Sequence, residues 1–296
     1  MPDYPMMQVD AFASEPLSGN PCAIIFDADS LTESQMQQIA LEMNLSETSY
    51  VLKSDVADFR VRYFTPSREI PLAGHPTIAT THALIERGMI DVQGNSHTFT
   101  LEMKAGIIPV EITIQDNETW ITMTQNPPQF FDTYDPEQVM PAMGLDVEDW
   151  LAGYPIQTAS TGTKHLMIPL KSLDALKRTT INHRLYQALR DNGDFFGGPH
   201  LFCLQGITDA GTTFARHPNI PPDTHEDPFT GSATGSMASY LWKYGLLDTP
   251  KFIAEQGHWM KRPGVAQVEV LGSRDNITGV RVGGQAATVL RGTLTL

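Results

Sequence analysis

Residues 69–90, EIPLAGHPTIATTHALIERGMI, align without a gap on residues 226–247, EDPFTGSATGSMASYLWKYGLL, at an offset of 157. The identities are Glu69/Glu226, Pro71/Pro228, Gly74/Gly231, Thr77/Thr234, Leu84/Leu241 and Gly88/Gly245. They include the prolines and glycines that punctuate a backbone, and the flanks agree. VRYFTP precedes one copy and TTFARHP the other, while SGNPCAIIFDADSL has a looser partner in TGTKHLMIPLKSL. A fixed-offset repeat constrains a fold more than local propensity does, because it demands the same supersecondary unit twice. The economical reading is a duplicated αβ unit, giving two similar domains about a pseudo-twofold axis.

The residues between the copies fit that frame. QVDAF, CAIIFDA, TSYVLKS and DFRVRYFTP read as strands, and FTLEMKAGIIPVEITIQDNETWITMTQ as three strand runs with turns between. SLTESQMQQIALEMN reads as a helix with Ser30 and Glu33 as a capping-box pair. PTIATTHALIERG reads as a second helix ended by Gly88. NPPQFFDTYDPEQ is a Pro-rich polar break, after which the order recurs: YPIQTAS and HLMIPLK as strands, SLDAL and NHRLYQALRDNG as helices, HLFCLQG and TTFARHP as strands, then the helix ATGSMASYLWKYGLL. Four further strands follow, near KFIAEQG, AQVEVLG, ITGVRVGG and ATVLRGTLTL. The expected division is residues 1–126 for the first domain and 127–285 for the second, with 286–296 returning to the first.

The net charge of −14 sets a negative field that disfavours nucleic acid and anionic membrane as partners. No apolar run is long enough to span a bilayer, and the start MPDYPMMQVDAF lacks a signal-peptide pattern, so a cytoplasmic location is expected. Two distant cysteines, Cys22 and Cys203, read as buried free thiols. The nine histidines form no HxxxH pair and there is no CxxC, so no metal is expected. GxGxxG and GxxxxGK[ST] loops are absent.

Each repeat copy starts a helix just after a glycine, Gly74 or Gly231. First-turn N–H groups have no intrahelical partner and carry partial positive charge, so each start is a candidate seat for an anion such as a carboxylate. The plain alternative is that Thr, Ser and Asp side chains only cap two core helices. The copies differ chemically. One carries Ala73-Gly74-His75-Pro76 and the other Asp227-Pro228 with Thr230-Gly231-Ser232. Asymmetry on a symmetric frame suits an asymmetric substrate.

These stretches resemble the PhzF-like family of phenazine biosynthesis, within the diaminopimelate-epimerase fold. The family's motifs are similar to VDAFASEPLSGNPCAII, to NLSETSYVL, to RYFTPSREIPLAGHPTIAT and to HEDPFTGSATGSM. EQGHWMKRPG resembles a further segment, QG…RPS, with Gly264 in the last place. The likeness covers nearly the whole chain in order. It implies an α+β fold of two pseudo-symmetric domains, each a mixed β-sheet wrapped around a central helix, with the last strand returning to the first domain. It also implies a homodimer and an isomerase that needs no cofactor. The family's best-known activity is a proton shift on trans-2,3-dihydro-3-hydroxyanthranilate. Its catalytic glutamate falls on Glu47, its histidine on His75, and its aspartate and serine on Asp227 and Ser232.

Read by themselves, the same residues allow two roles each. Glu47 is either a solvated turn residue or a general base whose pKa burial would raise. His75 sits at a helix start, where the dipole favours neutral imidazole, or it is bonded to nearby backbone. Asp227 orients a polar group or ends a turn, Ser232 binds a carboxylate or caps, and Asn20 lines a cleft or makes an Asn-Pro turn. His82 reads as packing. Related epimerases carry a cysteine at the head of each glycine motif, where this chain has Ala73 and Thr230. The expectation is therefore one base, Glu47, moving a proton on a small carboxylate-bearing substrate bound by Asn20, Gly74, Gly231 and Ser232 in a cleft between the domains. The alternatives are a racemase or epimerase with a second base, or a small-acid-binding protein without activity.

Overall fold

The computed structural model describes residues 2–191, 197–219 and 226–296. From the N-terminus come β1 (Asp3–Ala11), β2 (Asn20–Ile25), α1 (Glu33–Met43), β3 (Glu47–Leu52), β4 (Phe59–Phe64), β5 (Glu69–Ile70) and α2 (Gly74–Glu86). A meander follows, β6 (Ser96–Met103), β7 (Gly106–Gln115) and β8 (Glu118–Gln125), then β9 (Gln129–Tyr134) and α3 (Pro136–Ala142). Next are β10 (Ile156–Ser160), β11 (Lys164–Pro169), α4 (Leu173–Arg178), α5 (His183–Asp191), β12 (Gly198–Cys203), β13 (Thr213–Arg216) and α6 (Gly231–Lys243). The chain ends with β14 (Lys251–Gln256), β15 (Gly264–Ser273), β16 (Asn276–Gly284) and β17 (Ala286–Thr295). Two compact units result. One holds Met1–Thr124, Lys261–Val265 and Gly283–Leu296, and the other Gln125–Met260 and Ala266–Val282.

In the first unit β1 lies antiparallel between β17 and β2, and β2 runs parallel to β3. β4 is antiparallel to β3 and β5 and parallel to β6. In the second unit β10 lies antiparallel between β9 and β11, and β11 runs parallel to β12. β13 is antiparallel to β12 and parallel to β14, and a bridge from His217 to Asp227 takes the place of β5. The order of senses is the same in both. The repeat is thus a repeat of topology.

Each unit closes around its own helix. Nine of the thirteen residues of α2 are buried, and it packs on β1, β2, β3 and β17. Ten of the thirteen residues of α6 are buried, and it packs on β10 and β11. Small and apolar residues all round, with no polar stripe, are what a helix enclosed by a sheet requires. The repeated identities have structural work in this frame. Thr77 donates its hydroxyl back to the Ala73 carbonyl at 2.7 Å, and Thr234 does the same to Thr230 at 2.9 Å. Glu69 pairs with Arg62 and Glu226 with Arg216, at 2.7 and 2.6 Å. Leu84 and Leu241 are fully buried. Gly88 and Gly245 end their helices at φ +68° and +70°, where a Cβ would strain the backbone.

Three local readings change. The capping box of α1 is Thr32 with Gln35, because a 3-10 turn over Ala28–Ser30 keeps Ser30 outside the helix. The Pro-rich break contains β9, paired with β10, and α3 begins at Pro136 with Asp135 as its cap. The helix read over NHRLYQALRDNG is observed to Asp191, and its last two residues lie outside the described residues. Both cysteines are free and buried. Among the described residues, no helix is long and apolar enough to cross a membrane.

Candidate functional site

In the first unit, Asn44 ends α1 in the left-handed region at φ 50°, which turns the chain so that β3 begins at Glu47. Parallel pairing sets Glu47 beside Cys22 of β2. Two residues before Cys22, Asn20 opens β2, directly after Gly19 at φ +54°. A Cβ on Gly19 would run into the Ala11 carbonyl, so this turn requires glycine. Arg262 of the RPG segment fixes the same turn. It donates to the carbonyls of Ser18 and Gly19 at 2.8 and 2.9 Å and to Asp10 at 2.7 Å.

His75, the second residue of α2, then lies between Asn20 and Glu47. Its Nδ1 is 3.1 Å from Asn20 Nδ2, and its Nε2 is 3.2 Å from Glu47 Oε2. The second contact has the distance of a hydrogen bond but not its alignment. Burial pushes the His75 pKa down to about 3, with only the Pro21 carbonyl opposing. The neutral ring expected at a helix start is therefore present, and burial is its main cause. With the ring neutral at pH 7, the contact is not an ion pair. Glu47 keeps 19% of its side chain exposed, so this carboxylate is held in place yet reachable.

The corresponding residues of the second unit are arranged differently. Gly231 opens α6, and its carbonyl accepts from Gln125 Nε2 at 2.9 Å. Gln125 Oε1 accepts from Thr161 at 2.5 Å. A Cβ at Gly235 would fall on the Gln125 amide. Gly235→Ala should break both bonds and cost about 1–3 kcal/mol, read as a lower urea midpoint. Asp227 accepts from the Thr230 hydroxyl at 2.5 Å, and Gln256 binds the same turn through Thr230 N–H and the Asp227 carbonyl. Ser232 Oγ is 2.9 Å from His165 Nε2. Neither Ala73 nor Thr230 makes a side-chain cap.

The structure brings Asn20, Gly74, His75 and Glu47 together in the first unit, and Asp227, Gly231 and Ser232 together in the second. It also adds residues that the sequence did not single out. His165, His200 and His217 form a buried group in the second unit, with ring centroids 5.2 Å apart for His165 and His217 and 5.5 Å for His200 and His217. Burial lowers the pKa of all three, to about 4 for His217. Among the described residues, no group of His, Cys, Asp and Glu is arranged to hold a metal ion. The one available signal was the loose repeat, which sets His165 against Cys22.

Neither thiol is poised as a base. Burial raises the Cys22 pKa well above its usual value, and the Glu47 charge adds to this. Burial raises Cys203 to about 11. In the folded protein neither should react with a thiol reagent at pH 8, and both should react once urea unfolds it.

Residues 9–292 match the family model described as phenazine biosynthesis-like protein. The chain is 36% identical over 273 residues to the uncharacterized isomerase YfhB of Bacillus subtilis, covering 91% of this chain and 92% of that one. It is 33% identical over 296 residues to trans-2,3-dihydro-3-hydroxyanthranilate isomerase of Pseudomonas chlororaphis, covering 97% of this chain and 98% of that one. A solved Bacillus anthracis phenazine biosynthesis protein of the PhzF family superposes with a TM-score of 0.90 at 35% identity, covering 100% of both chains. The fold is accordingly the α+β, diaminopimelate-epimerase-like one expected from the motifs.

Proposed function

Because the chain belongs to the phenazine biosynthesis-like protein family and is an isomerase, we propose that it shifts a proton on a small carboxylate-bearing metabolite, with Glu47 as general base and no cofactor. The observation that carries this reading is the Asn20–His75–Glu47 arrangement at the start of α2. A neutral imidazole orients the carboxylate without neutralising it, so Glu47 keeps its basicity. Glu47 takes a proton from an activated carbon and returns it to a conjugated position. His75 accommodates both charge states of Glu47, because it stays neutral throughout. Asp227, Gly231 and Ser232 orient the substrate through its polar groups.

A racemase reading would need a second base on the opposite face of one carbon. The head positions are Ala73 and Thr230, and both thiols are held protonated. One base acting on two carbons fits this set of side chains better. The test is proton NMR in D2O on a panel of small unsaturated and amino carboxylic acids, starting with the compound named for the Pseudomonas relative. Deuterium uptake with a moved double bond supports the reading. Inversion at a single carbon, or equal exchange by wild type and Glu47→Gln, overturns it.

A further inference from the structure

The strand registers make the two units comparable residue by residue. Cys22 pairs with Glu47 in the first, and His165 pairs with Gly198 in the second. Tyr63 pairs with Ile70, and His217 with Asp227. His75 and Ser232 share the second position of their helices. On this common frame the carboxylate of the first unit has been deleted to Gly198. Its space is taken by a ring, since a Cβ on Gly198 would lie 2.8 Å from His217 Nε2. The imidazole, carried by the helix in the first unit, stands on the strand in the second, as His165.

We infer that His165 is a positioning residue that donates from Nε2 to Ser232 Oγ and so commits the serine hydroxyl to donate to an acceptor group of the ligand. His165 is 5% exposed, and its Nδ1 has no hydrogen-bond partner among the described residues. A proton on Nδ1 would be a buried donor without an acceptor, the costlier of the two orphans. The proton therefore belongs on Nε2, 2.9 Å from Ser232 Oγ. That bond occupies the serine oxygen as an acceptor. Among the described residues no hydrogen bond uses the serine proton, and Ser232 is only half-buried. The hydroxyl is thus left to point its proton at an incoming lone pair.

The neighbouring rings keep the arrangement neutral. His217 faces His165 edge to face and lies beside His200; burial above all, and His217 after it, opposes charge on His165 and His200. His165 accordingly fixes a hydrogen-bond direction and moves no proton. The consequence is selectivity. The Ser232 hydroxyl takes an acceptor, a carboxylate in the functional reading on which the inference rests, and rejects a cationic or donor-only group.

The experiment uses the full-length protein labelled with 15N-histidine and benzoate as the probe. Long-range 1H–15N spectra should show His165 as the Nε2–H tautomer. Benzoate affinity should fall about tenfold in His165→Phe and in Ser232→Ala. His165→Gln, which keeps a donor, should restore it to within about threefold. Benzylamine should not bind. An Nδ1–H tautomer overturns the inference in the wild type alone, even if a variant fails to fold. Unchanged benzoate affinity in His165→Phe, or no benzoate binding by wild type, overturns it too. Failure of the isomerase reading is separate, because it is read at Glu47 in the other unit as exchange that survives Glu47→Gln.

Discussion

Glu47→Gln should lower proton exchange and turnover by about 10²- to 10⁴-fold, the contribution of a positioned general acid or base. The amide has the shape of the carboxylate and fits the same place, 3.2 Å from His75 Nε2 in the wild type. What it cannot do is hold and return a proton. Stability should change by less than about 1 kcal/mol, because no buried cavity or orphaned ion is created. Glu47→Asp keeps the charge but withdraws it by one methylene, and a displacement of about 1 Å at a reacting group costs about 10²-fold. The pH–rate profile separates Glu47 from its neighbour. His75 titrates near pH 3, so an acid limb above pH 5 cannot be its own, and His75→Gln should leave that limb in place. If Glu47→Gln retained exchange within threefold of wild type, the carboxylate would not be the base.

The repeat carried most of what the sequence could tell. A glycine that ends a helix, a threonine that bonds back to its own turn and a glutamate that pairs with an arginine are local rules. They recur wherever the unit recurs, as at Gly88 and Gly245, Thr77 and Thr234, Glu69 and Glu226. His75 stood out because it sits at a helix start that Gly74 marks, whereas Glu47 was singled out by the family resemblance and not by its local sequence. The histidine group was not legible. His165 lies on β11, His200 on β12 and His217 directly after β13, and they meet through the pairing of β11 with β12 and β12 with β13. Register across a parallel pair is set by long-range packing that no short window contains. β9 was hidden for another reason. It follows Pro127-Pro128 and is mostly exposed or half-buried, so it lacks the apolar alternation of an interior strand. The shifted capping box is a smaller case, since Ser30 and Thr32 compete for the role and the preceding 3-10 turn decides it.

Stability should fall steeply between pH 6.5 and pH 4.5, and the second unit should give way first. His165, His200 and His217 are all buried with pKa values pushed below the ordinary 6.5. In the unfolded chain each takes up a proton as pH drops through 6.5, whereas in the fold it stays neutral. The unfolded state then binds more protons, so stability is fully present above pH 6.5 and is lost as pH falls toward the folded values. Each such histidine contributes up to about 1.4 kcal/mol per pH unit, so three give roughly 4 kcal/mol per unit. Two units of pH would then remove up to about 8 kcal/mol, half or more of a stability of about 5–15 kcal/mol. In the first unit His75 behaves the same way, while His82 is lowered by burial but supported by Glu86. The lowered carboxylates, Asp58, Glu69, Glu86 and Asp149, add their losses only below about pH 4.5, outside this window. The tryptophans make the order measurable, because Trp150, Trp242 and Trp259 lie in the second unit and only Trp120 in the first. Urea unfolding at pH 7 should give coincident fluorescence and circular-dichroism transitions, and at pH 5 fluorescence should move to lower urea ahead of the dichroism. His200→Gln should flatten the fluorescence midpoint's dependence on pH by about a third, one proton of three. A midpoint that stays constant from pH 7 to pH 5 would mean that these rings are hydrated enough to titrate in the fold, and the buried group would lose its role as the acid-sensitive part of the chain.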